Sequence, residues 1–245
     1  DWGLDKPFFE RYLAFMSRAV RGDLGTSYAT RQDVFQSVMQ RMPATLKLMA
    51  AAMVLSLMIS LPLGMLAAIK HNSIWDSLST ALATVGISLP RFWFGLVLII
   101  TFSLKLGWLP SMGSANLDQG LGQFLKFMIL PAASLALSMA AVQTRMIRSS
   151  MLDVLGQDYV RYARSKGLKE RAVLYGHALK NAMIPVITTV GGEIGGLLGG
   201  AVVTEQIFSW PGVGRLTVSS ITKRDYPMIQ GITLLLCFSY LMINL

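Results

Sequence analysis

The sequence predicts an all-α protein that crosses a membrane several times. Three observations predict this fold class: 53% of the 245 residues are hydrophobic, the mean hydropathy is +0.52, and the charged residues, only 14% of the chain, are clustered. The clustering leaves apolar runs as long as the roughly 20 residues that a helix needs to cross a bilayer. Backbone polar groups in lipid must bond within their own segment, so we expect each run to be a helix.

Charge and composition exclude several other function classes. The formal net charge of +9 does not indicate nucleic-acid binding, because the basic residues lie between apolar runs, where membrane topology explains them. The single Cys237 allows no internal disulfide, and two histidines are too few for a metal site. No phosphate-binding pattern G-x-x-x-x-G-K-[ST] occurs, so the chain cannot bind ATP by that route. We predict no catalytic residue and no cofactor bound by this chain.

Residues 1–42 are polar enough to lie outside the bilayer, on the extracytoplasmic side. Phe8, Phe9, Tyr12, Leu13 and Met16 share one face of a predicted amphipathic helix. A second short helix is predicted from Asp33 to Arg41.

Residues 43–245 are predicted to form the transmembrane domain. Apolar runs cover about residues 44–69, 78–104, 127–147 and 183–203, and a last run begins near Met228. Pro62 predicts a kink in the first run. Because the chain begins without methionine and stops inside an apolar run, we expect a preceding transmembrane segment or signal-anchor. That makes about five spanning helices here and about six in a full chain.

A basic segment at 148–182 separates the third and fourth runs. Residues 145–180 carry eight Lys or Arg against three acids. By the positive-inside rule this segment is cytoplasmic, which places 1–42, 105–126 and 204–227 outside.

The basic segment has the pattern of two short helices. Asp158 is predicted to cap the first helix and Gly167 to end it in the left-handed conformation. The apolar face of the second helix is predicted to consist of Leu168, Ala172, Tyr175 and Leu179. Pro185 is predicted to separate this segment from the next membrane helix.

The basic segment resembles the cytoplasmic coupling loop of ABC-importer permeases. The similar residues are Tyr-Ala-Arg-Ser-Lys-Gly-Leu at 162–168, His-Ala-Leu-Lys-Asn-Ala at 177–182 and Ile-Pro at 184–185. They are most similar to the dipeptide, oligopeptide and nickel import group, as are Gly-Asp-Leu-Gly-Thr-Ser at 22–27 and the motifs at 208–215 and 224–227. Arg161 or Tyr162 stands where many importers have a glutamate, a departure that the peptide and nickel group shares.

The resemblance implies the ABC-importer permease fold, in a prokaryotic inner membrane. It also implies partners: a second permease subunit, two ATP-binding subunits carrying ATP and magnesium, and an extracytoplasmic substrate-binding protein. The chain then forms the translocation path and is not itself an enzyme. Its implied substrates are di- or oligopeptides or glutathione-like peptides, with nickel or a metal chelate as the alternative.

In this family the coupling loop docks in a groove of the ATPase. The resemblance therefore assigns ATPase coupling to Asp158, Tyr162, Ala163, Arg164, Lys166, Gly167 and Leu168. Ala163 is expected to contact the groove, where a larger group would obstruct docking. The alternative is a basic loop that lies on anionic lipid.

Two charged residues inside apolar runs are candidates for the translocation path. A charge at the bilayer centre costs about 2.5–3.5 kcal/mol, so Arg91 is expected to face the path or a partner acid, or else to snorkel. Glu193 lies among glycine pairs from Gly191 to Gly200, a pattern typical of close helix packing or pore lining. It either lines the path and favours a cationic group or, protonated, bonds to a neighbouring helix.

Two other hypotheses predict no ATPase. An ion-coupled secondary transporter would bind protons or sodium at Glu193. A membrane scaffold would have no transport role.

Overall fold

The computed structural model describes residues 7–115, 118 and 120–244. Residues 1–6 of the predicted N-terminal segment, residues 116, 117 and 119 of the predicted 105–126 segment, and residue 245 lie outside this description. The helices are α1 (Phe8–Val20), α2 (Val34–Ile69), α3 (Ile74–Ser88), α4 (Arg91–Leu98), α5 (Leu121–Leu155), α6 (Asp158–Ser165), α7 (Leu179–Ile207), α8 (Val213–Thr222) and α9 (Tyr226–Asn244). Wider π-helical turns extend α4 over Ile99–Lys105 and precede α7 over Ala172–Ala178.

Within the described residues, four helices are long and apolar enough to cross a membrane: α2, α5, α9, and α7 together with its π-helical turns. The bent pair of α3 and α4 passes the same test as one broken span and brings the number to five. The described chain contains no strand, only an isolated bridge between Thr26 and Asp33. The prediction of an all-α polytopic membrane protein is confirmed.

Helix α2 differs from its prediction, because the short helix from Asp33 and the first spanning run form one helix. The side chain of Asp33 caps it by accepting a 2.8 Å hydrogen bond from the amide of Gln36. The helix then continues through Pro43 and Pro62, so the boundary drawn between residues 42 and 43 falls inside it. Burial of α2 residues on both sides of Pro43, among them Met42 and Thr45, supports the helix where the proline removes a backbone hydrogen bond.

The second predicted span is broken. Between α3 and α4 the chain bends by 103°. Leu89 is extended, with ψ of 127°, because the proline ring at position 90 disfavours the helical conformation of the residue before it. Arg91 is therefore the first residue of α4, and not in the middle of a helix as the apolar run predicted.

Helix α5 lies at the centre of the molecule and packs against α2, α3, α4 and α7. Its close approach to α2 depends on Gly64, where an added Cβ would lie 2.7 Å from the Cβ of Ile147. The main apolar core joins α2, α5 and α7 with the buried Trp210, through Leu48, Leu135, Met139, Leu197 and Ala201. A helix buried on several sides fits the centre of a bundle.

Two of the motifs on the predicted outer side contact each other. Asp225 is buried and accepts a hydrogen bond of 2.5 Å from the hydroxyl of Ser27 and one of 3.0 Å from the amide of Tyr28. A longer hydrogen bond of 3.4 Å comes from the amide of Ala29. Asp225, immediately before α9, thus holds the turn at residues 27–29, which lies before α2.

This junction is expected to weaken in acid. Burial raises the pKa of Asp225, but the hydrogen bonds from Ser27, Tyr28 and Ala29 outweigh burial and hold the pKa below its ordinary value. The stabilisation is therefore fully present above the ordinary aspartate pKa of about 3.9 and is lost as the pH falls through the lower folded value. Amide exchange at Tyr28 and Ala29, corrected for intrinsic rate, should rise about tenfold over that range.

The control is Asp225→Asn, which cannot titrate. Its exchange at these amides should already be faster at neutral pH and should not respond further to acid. Equal protection in both proteins across the whole range would contradict the proposed role of the carboxylate.

Candidate functional site: a cytoplasmic-type loop and a charged layer between helices

The loop helix α6 has one buried and one exposed face. Val160 and Ala163 are buried against Val173, at the start of the π-helical turns. Tyr162 is 61% exposed on the other face. The ammonium group of Lys166 lies 4.7 Å from the centre of the Tyr162 ring, a cation–π contact that holds both side chains at the surface.

The predicted C-terminal end of α6 is correct, and the predicted N-terminal cap is wrong. Gly167 has φ of +75° and takes the left-handed conformation after the helix, as predicted. Asp158 does not cap the helix: Gln157 precedes it as the capping residue, without a side-chain bond, and Asp158 is the first helical residue. The Asp158 carboxylate lies 3.8 Å from Arg161 and is fully exposed, so this ion pair stabilises the helix little.

A bidentate ion pair spans the turn at Gly167. The guanidinium of Arg164 donates to both carboxylate oxygens of Glu170, at 3.2 and 2.7 Å. This hydrogen bonding lowers the pKa of Glu170 and raises the pKa of Arg164. Leu168 lies between Arg164 and Glu170 in the sequence, and its side chain is exposed. The exposed face of the loop therefore presents Tyr162, Arg164, Lys166 and Leu168 in a braced turn.

Ala163 does not have the surroundings that the sequence predicted. Its side chain is only 6% exposed and packs inside this chain, so it cannot reach into a groove of another protein. A larger side chain here would push α6 away from Val173. Ala163 is thus a packing residue that sets the position of the exposed face.

The predicted second amphipathic face was also wrong. Ala172 and Tyr175 are exposed, and the buried residues are Val173, Leu174 and Ala178. The π-helical turns have a longer period than the α-helix that the prediction assumed, so the buried face is displaced. Pro185 lies inside α7 and does not separate it from the loop.

Arg91 is held between α5 and α7. Its Nε donates to the hydroxyl of Ser138 at 2.8 Å. Its Nη1 lies so close to Gly200 that an added Cβ would collide with it. The glycine at 200 therefore leaves the space that the guanidinium occupies.

Glu193 is the last of three hydrogen-bonded polar side chains that connect α2, α5 and α7. Its Oε2 accepts a 2.7 Å hydrogen bond from Nε2 of Gln143, and Oε1 of Gln143 accepts one of 3.0 Å from Ser60. Gln143 and Ser60 are fully buried, whereas Glu193 is half-buried. Sequence reasoning missed Gln143, although an uncharged amide inside an apolar run is a signal for such a contact.

The glycine stripe of α7 has two roles. Gly195 packs against Tyr240 of α9, where an added Cβ would lie 2.7 Å from the ring. Gly200 packs against Arg91. In contrast, an added Cβ at Gly191, Gly192, Gly196 or Gly199 would meet no described atom within 4 Å.

A cavity of about 540 Å³ lies between α3, α5 and α7. Thr189, one turn before Glu193, and Val142, next to Gln143, are among its lining residues, with Arg145 and Arg148 on its α5 side. Its size is that of a pocket for a small ligand. Within the described residues, no group of three His, Cys, Asp or Glu side chains could hold a metal ion.

Near this cavity a second polar cluster, not predicted from the sequence, joins α3 to α5. Asp76, at the start of α3, accepts two hydrogen bonds from Arg148, of 2.5 and 2.8 Å. It also contacts Nδ1 of His71 at 2.9 Å and accepts a 3.1 Å bond from the amide of Asn72. This part-buried ion pair fixes the broken span, formed by α3 and α4, to α5, the helix that continues towards the loop.

A third buried cluster holds the start of α8. Glu205 accepts hydrogen bonds from the hydroxyl of Thr45 at 2.6 Å and from the amide of Arg215 at 3.0 Å. The Thr45 hydroxyl in turn accepts from the amide of Val213 at 2.9 Å. Helix α8 has no capping side chain of its own, so residues of α2 and α7 satisfy its first amides.

Comparison with known proteins is consistent with this architecture. Residues 60–245 match the family model described as binding-protein-dependent transport system inner membrane component. The oligopeptide transport system permease protein AppB of Bacillus subtilis is 45% identical, over 96% of this chain and 75% of that protein. The dipeptide transport system permease protein DppB of Escherichia coli strain K12 is 41% identical, over 99% of this chain and 78% of its own.

Other relatives and solved structures agree. The glutathione transport system permease protein GsiC of Escherichia coli strain K12 is 42% identical, over 99% of this chain and 77% of its own. The fold is similar to a chain of the MetNI methionine ABC transporter, with a TM-score of 0.70, 14% identity, and coverage of 85% of this chain and 92% of that one. The chain therefore belongs to the family of binding-protein-dependent transport system inner membrane components, the multi-pass permeases of ABC importers.

Proposed function

We propose that this chain is a permease subunit of an ATP-driven importer of di- and oligopeptides, with glutathione-like peptides included. The observation that carries the proposal is the identity of 41–45% to permeases named for oligopeptide, dipeptide and glutathione transport, over almost the whole chain. These names favour peptides over the nickel alternative. Membership in an importer family favours an ATP-driven machine over a secondary transporter or a scaffold.

In this proposal the chain works with a second permease, two ATP-binding subunits that hold ATP and magnesium, and an extracytoplasmic binding protein. The segment 148–182 is cytoplasmic, and the segments 1–42 and 204–227 are extracytoplasmic. The exposed face of α6 binds the ATPase. This role of α6 is supported by the turn that the ion pair of Arg164 and Glu170 holds, which presents Tyr162 and Lys166 outward.

Motion at α6 reaches the path through α5. Helix α5 runs without a break from Leu121 to Leu155, three residues before α6 begins. The same helix holds Arg91 through Ser138 and Glu193 through Gln143. A shift of α5 that follows ATPase closure would therefore move both charges, as alternating access requires.

Gly167→Val is expected to uncouple this chain from its ATPase. A β-branched residue in the left-handed conformation costs about 1–2 kcal/mol, so the turn after α6 should open. An added Cβ at Gly167 meets no described atom, so the rest of the fold should be unaffected. We expect peptide uptake by cells to fall several-fold while the variant remains in the membrane at the level of the unchanged protein.

Two further variants sharpen the test. Gly167→Asn, which tolerates the left-handed conformation, should retain most of the uptake. Arg164→Glu, which replaces the bidentate pair by two acids, should reduce both uptake and co-purification of the ATPase. Normal ATP-driven uptake by both Gly167→Val and Arg164→Glu would contradict the coupling role of α6.

A further inference from the structure

Arg91 and Glu193 are opposite charges that do not neutralise each other. No nitrogen of Arg91 lies within 4.0 Å of the Glu193 carboxylate oxygens, so the two form no ion pair. Charged groups inside membrane helices are costly and usually face an aqueous pathway or pair with another charge.

Both groups keep part of their hydrogen-bonding capacity unused. Among the described residues, Arg91 bonds only through Nε, which leaves both terminal nitrogens without a protein acceptor. Glu193 likewise bonds only through Oε2. No buried nitrogen or oxygen of a described side chain lacks a hydrogen bond, so the unused atoms are accessible from outside the protein.

The hydrogen bonds that are made hold the two groups in place. Ser138 and Gln143 both belong to α5, and Gln143 is fixed in turn by Ser60 of α2. The guanidinium lies against Gly200, seven residues beyond Glu193 on α7, which corresponds to about 10 Å along the helix. A peptide of two or three residues, at about 3.3–3.6 Å per residue when extended, has a similar length.

We propose that the layer formed by Arg91 and Glu193 recognises both ends of a zwitterionic peptide: Arg91 binds the terminal carboxylate and Glu193 binds the terminal ammonium group. The guanidinium presents two terminal nitrogens in the planar arrangement that suits a carboxylate. The separated charges align the peptide along α7. This inference rests on the proposed function and adds the chemical feature by which the permease itself selects its substrate.

The test uses three probes and the assembled complex in nanodiscs, without the binding protein. The probes are Ala-Ala-Ala, its N-acetylated form and its C-terminal amide, and their affinities are measured by isothermal titration calorimetry. For the unchanged protein, each blocked peptide should bind at least about tenfold more weakly, because it leaves one charged partner unpaired.

The variants should separate the two ends. Arg91→Gln should bind Ala-Ala-Ala and its amide equally, and should still bind the acetylated peptide more weakly. Glu193→Gln should bind Ala-Ala-Ala and its acetylated form equally, and should still bind the amide more weakly. Arg91→Lys, which keeps the charge but loses the planar pair of donors, should discriminate weakly against the amide. Lys126→Gln and Asp153→Asn, exposed positions on α5, are matched controls that should retain both preferences.

If Arg91→Gln does not assemble, Gly200→Ala provides the same test, because its methyl group displaces the guanidinium without removing it. It should weaken only the preference for a free carboxylate. Absence of peptide binding by the unchanged complex, or preferences that survive in both Arg91→Gln and Glu193→Gln, would overturn the inference. If instead the proposed function is wrong, the unchanged protein will not co-purify with an ATPase and cells that carry it will not take up peptide.

Discussion

Glu205→Ala is expected to destabilise the protein by about 4 kcal/mol, through loss of a buried acceptor and creation of a cavity. The Glu205 side chain is fully buried, and its two oxygens bond to Thr45 and to the first turn of α8. Thr45 is buried, so water cannot readily replace the acceptor that its hydroxyl loses. The measurement is thermal unfolding of the purified protein in nanodiscs.

Two variants control this prediction. Glu205→Gln keeps the shape but turns an amide group towards hydrogen-bond donors, so an intermediate loss of about 2 kcal/mol is expected. Gln206→Ala changes the exposed neighbour on the same helix and should shift the stability by less than about 0.5 kcal/mol. If Glu205→Ala and Gln206→Ala unfold at the same temperature, Glu205 does not hold α8.

The second large effect is expected for Asp76→Ala. This change leaves Arg148 without the carboxylate that accepts its two hydrogen bonds. Breaking a buried ion pair from one side costs about 3–5 kcal/mol, and we expect about 3 kcal/mol because Arg148 keeps some contact with solvent. Thermal unfolding measures the loss, and peptide uptake should fall with it because α3 is released from α5.

The double variant Asp76→Leu with Arg148→Met gives the decisive comparison. Replacing both charges by apolar groups removes the unpaired guanidinium, so most of the lost stability should return. Asp153→Ala, an exposed acid on α5, should have almost no effect. An Asp76→Ala protein as stable as the Asp153→Ala protein would show that the ion pair does not support the fold.

Features that depend on near neighbours in the chain were predictable. Long apolar runs can satisfy their backbone in lipid only as helices, and the membrane class followed from that. The left-handed turn at Gly167 was predictable because only glycine adopts that conformation without cost. The motifs at 22–27, 208–215 and 224–227 indicated the family, but not that Asp225 would bond to Ser27.

Local patterns also failed where their assumed geometry did not hold. The apolar face after Gly167 was assigned with the α-helical period, and the π-helical turns buried Val173 instead of Tyr175. Pro90 marked a possible break, since the residue before a proline avoids the helix. Its 103° bend depends on how α3 and α4 pack on α5.

The sequence by itself therefore determined the fold class, the approximate positions of the spans, the family and the left-handed turn at Gly167. These follow from composition, from short motifs and from the conformational preference of a single residue. Only the tertiary structure decided where Arg91 lies and which groups surround Glu193. It also revealed the bonds of Asp76 to Arg148 and of Glu205 to Thr45, across 72 and 160 residues of chain. The physical reason is that a buried polar group must find its partner in space, and α5 brings partners together that no sequence spacing relates.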